Sequence, residues 1–289
     1  MKITAKKKQQ FQDKIYTTTR QSWFIERDNL PWRKKINPYR IWVSEIMLQQ
    51  TQVARCITFF NNWMKLFPTV RDVANSNQVK LLSAWRGLGY NSRALRMKQT
   101  AIMIMEHYGG RFPKTYTELI KLPGIGPYTA GAIMNFAYNQ PIPMIETNIR
   151  RVYMHEFFAD AIEPVSEKNI LELVEQTMDT DNPRLWFYAL MDYGAYLGVT
   201  LKQKNKKYNP NIQSKSYTKQ KTFKGSDREI RGYILKTLLQ VKDHALNVQS
   251  LYKQLDQFTD ELSRKQSIIA DLVDEKFIEK SGNKIRLKM

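Results

Sequence analysis

Cysteine occurs once in the 289 residues, at Cys56, and histidine three times, at His107, His155 and His244. A single thiol excludes an intrachain disulfide and a zinc or iron–sulfur site built from several thiolates. The histidines are too scattered to supply the short spacings of a metal site, so neither metal nor cofactor is expected. No run of apolar residues is long enough to cross a bilayer. The stretch from Met1 to Lys14 is polar and basic and lacks the apolar core of a secretory leader. These absences lead to the expectation of a soluble, cytoplasmic protein with no membrane partner.

Acidic residues are also scarce, 27 against 46 Lys and Arg, for a net charge of +19. An excess of this size suits a polyanion, most commonly nucleic acid, because each basic contact releases a condensed counterion. A solvated basic face or affinity for an anionic membrane is the alternative. The charge is uneven. From Ser226 onward 12 basic residues face 10 acidic ones, leaving +17 on residues 1–225.

Most of the chain has helical periodicity. Leu95–Tyr108 puts Met97, Ala101, Ile102 and Met105 on one stripe, and Gln52–Phe67 and Ser166–Thr177 repeat the pattern. Pro and Gly punctuate it at Pro31, Pro38, Pro68, Gly87, Gly109, Pro123 and Pro143. Strand alternation is missing until the last dozen residues, so the fold class is all-α. Residues 202–224 hold eight lysines and no acid. This stretch suggests a linker over 202–225 that also touches phosphate, with Lys202, Lys204, Lys206 and Lys207 at its start; an ordered basic loop is the alternative. Beyond it, helices near 226–241, 247–257 and 262–276 precede two short runs around Ser281-Gly-Asn283, the order of a winged helix over 226–289. Its third helix, with Ser263, Arg264, Lys265 and Gln266, would be the groove reader, although a net of +2 suits a protein or interdomain contact as well.

Two segments carry chemistry. In Leu122-Pro-Gly-Ile-Gly-Pro-Tyr-Thr-Ala-Gly-Ala132, Gly124 and Gly126 permit a tight hairpin and Pro127 opens a helix. The N–H groups of such a loop can hold one phosphate without reading sequence; a plain helix–turn–helix joint is the alternative. In the second segment Glu45 is the lone acid in an apolar helix, Trp42–Leu48. It lies either on a solvated face, which periodicity alone favours, or inside, with its proton retained for acid catalysis.

Five segments in order decide between these. Ser44–Gln52 (SEIMLQQTQ), Gly87–Tyr90 (GLGY), Tyr108–Pro113 (YGGRFP), Leu122–Ala132 (LPGIGPYTAGA) and Ala189–Ala195 (ALMDYGA) resemble the adenine DNA glycosylase branch of the helix-hairpin-helix glycosylases over about 30–200. The resemblance implies a two-lobed helical fold across 1–201, with lobes of about 31–140 and of 1–30 plus 141–201. It implies a DNA-repair enzyme acting as a monomer on double-stranded DNA, beside the nucleoid in a prokaryote, and removing adenine mispaired with 8-oxoguanine or guanine. Release of mispaired thymine, uracil, hypoxanthine or 8-oxoguanine, or DNA binding without catalysis, are the competing readings. By position, Glu45 matches the acid that protonates the base. Tyr128 falls where bifunctional members carry a Schiff-base lysine, which implies no strand-cleaving lyase activity. Trp32, Arg33, Asp192 and Asn148 match the base pocket. Gln49, Gln50, Thr51, Leu88 and Tyr90 match the wedge and opposite-base contacts, with core packing the alternative for Leu88 and Tyr90.

The chain departs from that pattern in three places. Glu146 stands where the family has an aspartate that stabilises the sugar cation. Its extra methylene can misplace an oxygen by about an ångström, at a cost on the order of 10²-fold. The lysine-rich stretch replaces the four cysteines of the family's iron–sulfur cluster. The tail is shorter than the family's usual β-rich C-terminal domain.

Overall fold

The computed structural model describes residues 2–20, 27–205, 208–219 and 222–288. The fold is mostly helical, as the periodicity predicts, and the chain forms two compact units, Met1–Ile57 with Phe112–Lys219 and Thr58–Arg111 with Gln220–Met289. This grouping differs from the three-part division suggested by the sequence, because the C-terminal segment packs with residues 58–111 in one unit.

In the first unit α1 (Ala5–Thr19) is capped by Thr4, whose side chain accepts from Lys7 N. It buries Phe11 and Ile15, and Phe11 meets Trp186 edge-on at 5.7 Å. The short α2 (Pro31–Lys34) leads into α3 (Pro38–Leu48), where Asn37 caps the first turn and Pro38 costs no hydrogen bond. Arg40 Nη2 donates to Pro31 O at 2.9 Å and ties the two together. The chain passes to the other unit inside α4 (Val53–Leu66). On its return α8 (Tyr116–Leu119), the Pro123–Gly126 hairpin and α9 (Pro127–Ala132) form the helix-hairpin-helix element, followed by a π-helical turn at Ile133–Ala137. Helices α10 (Thr147–Phe157), α11 (Glu167–Thr177) and α12 (Pro183–Lys204) complete the core.

The stretch expected to be a linker is partly docked. Helix α12 runs on to Lys204, and Pro210–Gln213 forms a 3-10 turn. Val165 N donates to Gln213 O at 2.8 Å and Lys215 N to Val165 O at 2.9 Å. Buried Asn211 donates through Nδ2 to Thr147 O at 3.1 Å. Lysine-rich composition signals solvation, but a few backbone and amide bonds suffice to hold 210–215 in place.

In the second unit α5 (Val70–Asn75), capped by a reciprocal Thr69–Asp72 box, α6 (Gln78–Trp85) and α7 (Ser92–Tyr108) enclose Trp63 and Trp85, whose rings meet at 5.6 Å. Helix α13 (Asp227–Gln240), β1 (Ala245–Asn247), α14 (Val248–Leu255), α15 (Leu262–Asp274), β2 (Ile278–Ser281) and β3 (Lys284–Leu287) follow the winged-helix order. The antiparallel sheet runs β1-β3-β2, pairing Leu246 with Ile285 and Lys280 with Ile285. The sequence missed β1, because three residues are too few to display alternation. Buried Gln78 donates from Nε2 to Phe277 O at 2.9 Å and Lys276 O at 3.1 Å, which fixes the C-terminal elements against α6. One expectation for the reader helix fails at Lys265, which is 4% exposed and ion-paired with Asp256, whereas Arg264 is partly exposed and pairs with Asp227 at the surface.

Candidate active site

Helix α3 is buried on every side. Tyr39, Ile41, Trp42, Val43, Ser44, Ile46 and Met47 are all inside, and so is Glu45, at 4% exposure. The solvated-face reading therefore fails for a physical reason: a helix with no wet face has no periodic position left for an acid. Tyr128, at the second position of α9, donates its hydroxyl to Glu45 Oε2 at 2.5 Å. Burial raises the Glu45 carboxyl from 4.5 to about 7. The Tyr128 bond opposes that rise, the Glu146 charge adds to it, and Arg33 opposes it. The buried carboxyl therefore holds its proton to higher pH than an exposed glutamate would. Burial and the neighbouring Glu45 carboxyl push the Tyr128 hydroxyl well above its ordinary value, so it stays a donor.

Glu146 is the N-cap of α10. Its Oε1 accepts from Asn148 N at 2.7 Å and Ile149 N at 2.8 Å. Its Oε2 has a longer bond from Asn148 Nδ2, 3.3 Å. Burial raises its pKa, while the two backbone N–H donors, Arg151 and Arg150 counter the rise by favouring the anion. Arg151 Nη1 donates to Asn148 Oδ1 at 2.7 Å and to Gly194 O at 2.6 Å, linking the start of α10 to α12. That approach requires glycine at 194, since a Cβ there would lie 2.2 Å from Asn148 O.

A cavity of about 330 Å³ collects these groups with Trp32, Arg33, Leu48, Gln49, Gln50, Thr51, Asn148, Tyr188 and Met191. Both carboxylates, Tyr128 and three of the four pocket residues picked from sequence thus line one space. Asp192 does not line it. Arg33 donates to Asp192 Oδ2 at 2.7 Å and to Oδ1 at 2.8 Å, and Arg27 reaches Oδ1 at 2.9 Å. Asp192 therefore orients the arginines, and the Arg33 guanidinium lies 4.1 Å from the Tyr188 ring centre. Sequence reasoning overlooked Tyr188 and Met191, which precede Asp192 on α12; Met191 lies within the Ala189–Ala195 motif without being singled out, and Tyr188, just before it, carries no signal beyond helical spacing.

The expected DNA-contact residues are distributed over both units. Gln50 adopts φ +58°, the left-handed region that a non-glycine residue seldom occupies. Gly124 has φ +75°, and Gly126 caps α9 with an open α-carbon side where a Cβ would meet nothing within 4 Å. In the second unit Tyr90 is 41% exposed at φ +47°, whereas Leu88 is buried at 7%. Lys202 and Lys204 end α12; Lys206 and Lys207 lie outside the described residues. Cys56, in α4, is buried.

A buried carboxylic acid, a second carboxyl group and a tyrosine from the helix that follows the hairpin thus line one cavity. Residues 43–176 match the family model of the HhH-GPD superfamily base excision DNA repair protein. The adenine DNA glycosylase of Mycolicibacterium smegmatis is 31% identical over 265 residues, 88% of this chain and 89% of that one. The adenine DNA glycosylase of Buchnera aphidicola subsp. Baizongia pistaciae is 33% identical over 223 residues, 76% of this chain, and the chain spans 64% of that relative's length. A solved thermostable thymine-DNA glycosylase superposes with a TM-score of 0.61 at 26% identity, covering 73% of this chain and 97% of that one. The chain belongs to the HhH-GPD superfamily of base excision DNA repair proteins, in the branch of the adenine DNA glycosylases.

Proposed function

We propose that this chain is a monofunctional DNA glycosylase that removes adenine mispaired with 8-oxoguanine or guanine from duplex DNA. The observation that carries the reading is Glu45, a buried carboxylic acid with its pKa raised to about 7, beside a second carboxylate in one cavity. The target base is turned out of the stack into that cavity. As the glycosidic bond breaks, its electron pair leaves with the base, and the Glu45 proton passes to a ring nitrogen of the departing purine. Positive charge develops on the sugar, and Glu146 Oε2 stabilises it. Water adds to the sugar carbon, and the proton it loses goes to a carboxylate or to solvent. Tyr128 holds the Glu45 carboxyl in place and offers no amine for a Schiff base. Arg33, fixed by Asp192, and Trp32 shape the wall that meets the base.

Gly124 and Gly126 hold one phosphate through backbone N–H groups. Gln49, Gln50 and Thr51 meet the gap left in the duplex. Tyr90 acts as the wedge, with Leu88 packed beneath its loop. Lys202, Lys204, Lys206 and Lys207 add phosphate contacts. Replacing those four lysines with glutamine is expected to weaken DNA binding and flatten its salt dependence; an unchanged salt slope removes them from the interface.

A second reading, excision of mispaired thymine, draws support from the likeness to the thymine-DNA glycosylase. The deciding experiment is single-turnover base release from duplexes with adenine opposite 8-oxoguanine, guanine, cytosine or thymine. Mispaired thymine, uracil, hypoxanthine and 8-oxoguanine are run alongside, and each reaction is scored before and after alkali. Adenine release revealed only after alkali is the expected result. Release of another base keeps the chemistry and changes the substrate. Tight binding with no release from any duplex identifies a non-catalytic binder.

A further inference from the structure

Tyr90 stands at the end of a loop built to hold it outward. Gly87, Gly89 and Tyr90 take φ of +105°, +73° and +47°, and successive positive values turn the chain sharply. The loop is locked from inside: buried Arg93 donates from Nη2 to Gly89 O at 3.0 Å and Leu88 O at 3.2 Å, and Trp85 Nε1 donates to Gly89 O at 3.1 Å. The Tyr90 ring nevertheless remains 41% exposed. Two guanidinium groups flank it, Arg93 at 5.7 Å and Arg228 at 5.4 Å from the ring centre, and Arg228 Nη1 also donates to the Tyr90 hydroxyl. Arg228 belongs to the first turn of α13, the first helix of the winged-helix segment. Its neighbours Arg231, Gly232, Leu235 and Phe277 line a small hollow with Tyr90, Asn91 and Ser92.

We infer that Arg228 is a positioning residue for Tyr90, so that the C-terminal segment takes part in opening the duplex. This rests on the reading of Tyr90 as the wedge. A wedge must keep its direction while a base pair is forced apart, and an exposed ring on one backbone bond has many rotamers to lose. A guanidinium that lies within cation–π range of the ring and bonds its hydroxyl restricts those rotamers before DNA arrives, and its planar fork can do both at once where a single ammonium cannot.

The test compares wild type, Tyr90→Ala, Arg228→Ala, Arg228→Lys and the double alanine variant of the full chain. Single-turnover base release is followed on a mispaired duplex and on a duplex whose target base lies opposite an abasic site, where little unstacking remains to be done. Arg228→Ala is expected to slow release about tenfold on the mispair and under twofold opposite the abasic site, within the range of coupling between contacting residues. Arg228→Lys is expected to recover less than half of the logarithmic loss. The double variant should equal Tyr90→Ala, because Arg228 acts through that ring. Equal slowing on both duplexes, full rescue by lysine, or additive single effects would overturn the inference in favour of a plain phosphate contact. An effect of Tyr90→Ala without one of Arg228→Ala also overturns it, leaving the wedge intact. No effect of Tyr90→Ala removes the wedge reading itself, and the inference falls with it.

Discussion

Replacing Glu45 with glutamine separates what the buried acid costs the fold from what it does for the reaction. Glutamine keeps the shape and still accepts the Tyr128 hydroxyl, but it has no proton to give and no charge to bury. The carboxyl titrates at 4.5 when unfolded and at about 7 in the native chain. Below pH 4.5 both states hold the proton, and the residue contributes its full share of stability. Between these values the unfolded chain releases a proton that the folded chain retains, so wild-type stability falls as pH rises. Above 7 the loss levels off on the order of 3 kcal/mol, from roughly 1.4 kcal/mol per pH unit of difference. Glu45→Gln is therefore expected to match wild type near pH 4.5 and to be several degrees more heat-stable at pH 8. Its base release should fall by about 10³-fold, the scale of a lost general acid, with DNA affinity retained. Thermal melts at pH 4.5, 6 and 8 beside single-turnover release provide the check. A stability gap that does not open with pH refutes the burial argument. Release at the wild-type rate refutes the assignment of the acid.

Three further substitutions probe the same cavity. Glu146→Gln keeps an oxygen for the N–H groups of Asn148 and Ile149 but removes the charge, so release should drop about 10²-fold or more, the scale of a lost electrostatic stabiliser, while the melting temperature barely moves; a large loss of stability would show that capping needs the anion. Tyr128→Phe removes the bond that lowers the Glu45 pKa, so the alkaline limb of the pH–rate profile, near pH 7 in wild type, should move upward; a downward shift contradicts the arrangement. Gly194→Ala places a methyl group 2.2 Å from Asn148 O, and parting α10 from α12 should cost about 1–3 kcal/mol and slow release, read by denaturant midpoint and by rate.

Local chemistry made some of this legible in the sequence. The hairpin is written in Gly124, Gly126 and Pro127, whose backbone preferences hold wherever they occur. The winged-helix order came from short-range periodicity and the Ser281–Asn283 turn. Glu45 was harder, because a helix buried all round gives periodicity no face to find, and only the ordered set of motifs placed it inside. The bidentate Arg33–Asp192 pair spans 159 positions and the Asn211–Thr147 bond 64, and neither has a local signature. The same holds for the contact of Tyr90 with Arg228, 138 positions apart.

Two departures from the family pattern, the longer acid at 146 and the lysine-rich stretch in place of cysteines, are far apart in sequence and adjacent in the fold. Asn211 donates to the carbonyl of Thr147, the residue that follows Glu146, and Pro210–Gln213 packs on α10. The start of α10 is thus set partly by the replacing segment, and the longer side chain reaches the cavity from that start. Restoring the family's aspartate alone should not help. Glu146→Asp can still cap Asn148 and Ile149, but its second oxygen withdraws by about an ångström, and release is expected to fall by roughly ten- to a hundredfold. Single-turnover rates with wild type and Glu146→Asp on the same mispair decide the point. A faster aspartate variant would mean that α10 begins where an aspartate suffices, and that the extra methylene offsets no change in the backbone.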